Sequence, residues 1–134
     1  MRIAGLVLGL AAPALVCAFA GAAEAQSMTP MRGEVRSLSD SFAVRVFPAN
    51  PYGKPIRVEI HVYDQDFVAI EDARISVATL MLSANASRPV IVAIPFAGRR
   101  ERKVRICAES IPFPNTQAQV RAQICGKFLG KRAF

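Results

Sequence analysis

Few side chains in this sequence are placed for chemistry. His61 is the only histidine, and the alternation around it sets it beside Arg57, Glu59 and Tyr63 on a polar face, as a surface residue. Asp64-Gln65-Asp66 offers carboxylate oxygens for calcium, but such a site needs about six to eight oxygen ligands, and a turn accounts for both aspartates. Neither G-x-S-x-G, H-E-x-x-H nor a glycine-rich phosphate loop occurs. No catalytic residue, metal site or cofactor is therefore expected, and the chain does not read as an enzyme.

The thiols point to an exported protein. Met1-Arg2 precedes an apolar run over residues 3–20 and the small-residue stretch Gly21-Ala22-Ala23-Glu24-Ala25, whose A-x-A ending is a signal-peptidase cleavage pattern. Residues 1–25 read as a cleaved signal peptide, which places the product in the periplasm or outside the cell and leaves no stable membrane insertion. Cys17 departs with it. Cys107 and Cys125 remain, and an even pair in an exported chain reads as a disulfide. Closing a loop of that length stabilises a fold by roughly 3 kcal/mol in the chain-entropy model.

Cleavage removes Arg2 and Glu24 together, so the net charge of the product stays at +7. The densest basic run is Arg99, Arg100, Arg102 and Lys103, at an expected hairpin tip after Ala97-Gly98. It suits an acidic partner, a phosphate or a carboxylate. It lacks the interleaved aromatics that stack bases, and with the exported compartment this excludes nucleic acid.

These residues are carried by strands. Apolar side chains recur at every second position in Phe42, Val44 and Val46, in Val58, Ile60 and Val62, in Ile75 and Val77, and in Val90, Val92 and Ile94. Val104, Ile106 and Ala108, then Val120, Ala122 and Ile124, complete the series, with proline, glycine and asparagine turns between the runs. The β-branched residues of 69–82 favour strand over helix. Residues 26–39 carry no such period and read as a flexible lead-in, with one domain over residues 40–134. The expected fold is an all-β, immunoglobulin-like antiparallel sandwich of about seven strands.

In the last two strands Cys107 shares its face with Arg105 and Glu109, and Cys125 with Arg121 and Gln123, so the disulfide is expected on the outside of one sheet. If Cys107 opposes Cys125 in an antiparallel pair, Arg105 falls opposite Lys127 and Ala108 opposite Ile124, and the connecting turn centres near Thr116. Both apolar faces then meet the core together.

The Asn50-Pro51 turn, the strand from Ile56 to Tyr63, Val77 followed by Leu80-Met81-Leu82-Ser83, the Val90 to Ile94 strand and Val104-Arg105-Ile106-Cys107 together resemble the N-terminal immunoglobulin-like domain of periplasmic pilus-assembly chaperones, here as a single-domain variant. One branch of that family carries a disulfide between its last two strands. The resemblance implies strand complementation, in which the chaperone lends its last strand to an incomplete pilin-like subunit. Val120, Ala122 and Ile124 would supply the apolar residues of that strand. An Arg and a Lys hold the subunit's terminal carboxylate in such proteins, and Arg45 and Lys127 are the matching candidates. The alternative is a non-catalytic structural or adhesive module that binds anionic envelope partners through its basic surface.

Overall fold

A computed structural model of the protein describes residues 27–112 and 121–134, so the expected signal peptide, Val120 and the turn at Thr116 lie outside the described residues. Nine strands form the described structure: β1 (Ser27–Thr29), β2 (Arg32–Ser37), β3 (Ser41–Ala49), β4 (Ile56–Asp64), β5 (Arg74–Ile75), β6 (Thr79–Leu82), β7 (Val90–Pro95), β8 (Glu101–Ile111) and β9 (Gln123–Arg132). They pack as two sheets, β1-β3-β7-β5 and β2-β9-β8-β4-β6. This is the all-β, immunoglobulin-like sandwich that the alternation predicts.

The alternating residues fill the space between the sheets. Phe42, Val44 and Val46 from β3 and Val90, Val92 and Ile94 from β7 meet Val58, Ile60 and Val62 from β4 and Val104, Ile106 and Ala108 from β8. Each large aliphatic side chain buried this way contributes about 1.5–3 kcal/mol relative to leaving it in water. Phe42 also packs on Phe96, ring centroids 5.0 Å apart. Gly130 makes room for that pair, because a Cβ there would lie 2.4 Å from the Phe42 ring. Asn50 is the one buried polar residue among those described. Its Nδ2 donates to the carbonyls of Lys54 at 2.7 Å, Leu82 at 3.1 Å and Ser83 at 3.1 Å, and its Oδ1 accepts from Tyr52 N at 2.9 Å. Its side chain thus ties the β3–β4 turn to the end of β6.

Two expectations need correction. The stretch expected as a flexible lead-in contains β1 and β2: β1 pairs antiparallel with β3 in one sheet, and β2 pairs parallel with β9 in the other. Met28 is buried and Val35 packs against the core, so each strand is held by an inward side chain. The last strand, whose apolar alternation is visible as far as Ile124, continues through Lys127 to Arg132. The basic run, expected at a hairpin tip, follows a turn that carries the chain from β7 in one sheet to β8 in the other.

The β8–β9 register is the one that opposing the cysteines requires. Cys107 pairs with Cys125, Arg105 with Lys127 and Ala108 with Ile124. The Cys107–Cys125 disulfide forms, on the outer side of the five-stranded sheet. Cys107 is nonetheless sealed from solvent.

Candidate functional site

The site begins with backbone. Along one side β9 pairs with β8 from Gln123 to Lys131. Along the other, β2 covers only Lys127 to Arg132. No described strand therefore pairs with β9 at Gln123, Ile124, Cys125 or Gly126 on the side away from β8. The direction of the backbone groups follows from alternation. Lys127 N donates to Met31 O at 2.9 Å, away from β8, and Ala122 O accepts from Ser110 N at 2.9 Å, towards β8. Residues two apart point the same way in a strand, so Gln123 and Cys125 present their N–H and C=O groups to the open side, while Ile124 and Gly126 bond to β8. A free edge of this kind is a template for another strand. The disulfide fastens β9 to β8 at Cys125, in the middle of the open segment.

The open edge ends at a row of cations. Arg32 of β2 stands beside Lys127 of β9 in register, and Arg105 of β8 follows on the other side of Lys127. Glu34 of β2 reaches Lys131 of β9 at 3.2 Å, which fixes the outward face of both strands. Arg32 and Lys127 lie on that face, line one cleft with Lys103, Arg105 and Gln65, and are exposed. Arg105 is held in place: its guanidinium donates to Gln65 O at 3.3 and 3.2 Å and lies 4.3 Å above the Phe67 ring. Among the described residues neither Arg32 nor Lys127 forms an ion pair, whereas Lys131 and Arg132 on the same strand both do. Like charges side by side in a sheet repel, and a carboxylate between them would relieve that repulsion. A guanidinium beside an ammonium can hold both oxygens of such a group.

Other residues singled out by the sequence fall differently. Arg45 is exposed on β3, opposite Ile91 of β7, on the outer face of the four-stranded sheet. Lys127 faces outward from the other sheet, so the sandwich separates them and they cannot hold one carboxylate. Arg32, not Arg45, is the arginine that stands beside Lys127. Ile124 is half-buried and packs against the core, Ala122 is half-buried, and Val120 lies outside the described residues. Arg99, Arg100 and Lys103 are exposed. Arg102 is not part of their surface: its side chain is only 10% exposed, donates to Pro95 O and lies 3.8 Å from Asp72. Asp64 is used by its own turn, its Oδ1 accepting from Asp66 N at 2.8 Å and Val68 N at 2.9 Å. Sequence reasoning missed Arg32 because β2 carries a single apolar residue, Val35, and so shows no strand period. No helix among the described residues is long and apolar enough to cross a membrane.

This sandwich, with its first strands divided between the sheets and a disulfide joining its last two, is the immunoglobulin-like fold of periplasmic pilus chaperones. No protein-family model matches the sequence, and no curated protein does. Solved structures do. A complex of the Salmonella enterica SafA pilin with the SafB chaperone is similar at 16% identity and a TM-score of 0.67, over 81% of this chain and 55% of that one. The Escherichia coli chaperone DraB is similar at 17% identity and a TM-score of 0.66, over 81% and 55% respectively. The Pseudomonas aeruginosa chaperone CupB2 is similar at 16% identity and a TM-score of 0.62, over 80% and 56%. The chain spans about half the length of these structures.

Proposed function

We propose that this protein is a periplasmic, non-catalytic chaperone-like factor that binds pilus or surface-fibre subunits by pairing a subunit strand with the open edge of β9. The observation that carries this reading is the junction of that edge with Arg32 and Lys127. β2 runs parallel to β9 and begins where the open segment stops. A partner strand lying parallel to β9 along Gln123 to Gly126 would therefore be aligned end to end with β2, and its C-terminus would arrive at Arg32 and Lys127. Main-chain hydrogen bonds would give affinity, and the terminal carboxylate would set the register. The fold shared with chaperones whose solved structures are complexes with a pilin or a tip adhesin supports the same reading.

Capture of subunits from periplasmic extract tests it, with wild-type protein and the Arg32→Ala, Lys127→Ala and Ile124→Ser variants, each checked for folding. Subunits retained by the wild type and lost by the folded variants are the expected result. Equal capture by all four would overturn strand pairing. The rival reading, an envelope module acting through Arg99, Arg100 and Lys103, predicts instead a capture that moderate salt abolishes and that Arg32 does not influence.

A further inference from the structure

On the outer face of the five-stranded sheet, on the two strands next to the open edge, Glu59 of β4 and Glu109 of β8 are direct cross-strand partners. Like charges directly opposed in an antiparallel ladder destabilise it, so this pair calls for a cation. His61, two residues along β4 on the same face, brings its Nε2 to 3.3 Å from Glu59 Oε2 and 3.3 Å from Glu109 Oε2. That nitrogen is closed off from solvent and yet makes no hydrogen bond. It is aimed between the two carboxylates rather than at either. The three donor atoms all lie within 4.8 Å of one another.

Such spacing fits a metal ion. A tetrahedral ion with metal–nitrogen and metal–oxygen distances of about 2.0–2.2 Å holds neighbouring donor atoms about 3.3–3.6 Å apart. Imidazole with carboxylates is a donor set for zinc and its first-row neighbours rather than for magnesium or calcium, which take oxygen alone. We propose that Glu59 Oε2, His61 Nε2 and Glu109 Oε2 form a site for a divalent transition-metal ion, zinc foremost, with a fourth position open to water or to a ligand from a partner.

The surroundings are compatible with that assignment. Arg121 lies 3.7 Å from Glu109 Oε1, the other oxygen of that carboxylate, so it orients the group while leaving Oε2 to the metal. Cys107, in register with His61, contributes no thiolate because its sulfur is in the disulfide. The bound ion would tie β4 to β8 as the disulfide ties β8 to β9. Arg57 on the same face of β4 and Arg121 beside Glu109 are the competing source of positive charge for the two glutamates.

Zinc titration of the exported, oxidised protein without an affinity tag separates these. As the only histidine, His61 is a unique probe by long-range ¹H–¹⁵N spectroscopy, read alongside calorimetry. The expected result is one zinc per chain, a shift of the Nε2 resonance on binding with the proton retained on Nδ1, and a loss of affinity in His61→Ala and in Glu109→Gln of at least about tenfold, the scale reached by loss of even an outer-shell partner. Amide spectra of each variant show that it is folded, and Asp72→Asn, on the far side of the sandwich, should bind as the wild type does. Absence of binding at millimolar zinc, ligation through Nδ1, or undiminished affinity in the folded His61→Ala variant would overturn the site.

Discussion

Arg32 and Lys127 are register partners on two parallel strands, β2 and β9, and both face outward with no acidic partner among the described residues. They stand where the paired part of β9 gives way to its open part. The proposed recognition of a chain's end rests on that junction: main-chain groups on one side of it, and unpaired cations at it.

If the pair binds a terminal carboxylate, replacing either cation by alanine should weaken binding of a subunit's C-terminal peptide about tenfold or more, or about 1.4 kcal/mol. Amidation of the peptide should have the same effect on the wild type and little further effect on the variants. Fluorescence anisotropy measures both. Stability should change by less than about 0.5 kcal/mol, since both side chains are exposed.

Replacing Cys107 and Cys125 by serine should lower stability by about 3 kcal/mol, because the bond closes a loop with a sequence separation of 18. Urea unfolding of the oxidised protein and the double variant checks this. Affinity for a strand partner should fall as well, as β9 is then held less rigidly against β8.

Asn50→Ala should destabilise the fold by about 2 kcal/mol or more. It removes the side chain that now bonds the buried carbonyl of Leu82 and the half-buried carbonyl of Lys54 and amide of Tyr52. Thermal unfolding reports it.

Gly130→Ala drives a methyl group to within 2.4 Å of the Phe42 ring and should cost about 1–3 kcal/mol by overpacking. Arg102→Ala should cost about 2 kcal/mol by removing the bond to Pro95 O and the ion pair with Asp72. Arg99→Ala and Arg100→Ala, on an exposed turn, should leave unfolding unchanged.

What the sequence made legible was set by its apolar period. β3, β4, β7 and β8 each bury alternate large residues, so their existence and their inward faces could be read directly, and two cysteines with one consistent pairing fixed the register of β8 on β9. β1 and β2 could not be read. Met28 and Val35 are single inward residues in short strands, and pairing with distant β3 and β9 holds them, a tertiary constraint that leaves no local period. The same gap hid Arg32: Arg45 lies on the first strand whose period is visible, whereas Arg32 lies on a strand whose outward side chains are charged. Burial of Arg102 also escaped, because its partners, Pro95 and Asp72, belong to other parts of the chain.

Hydrogen exchange at the amides of β9 tests the central claim most directly, with and without a saturating subunit or C-terminal peptide. In the free protein Ile124 and Gly126 should be protected by β8, while Gln123 and Cys125 exchange freely. Strand pairing predicts that binding slows exchange at Gln123 and Cys125 and leaves Ile124 and Gly126 as they were. Binding that leaves Gln123 and Cys125 exchanging as fast as in the free protein would contradict it.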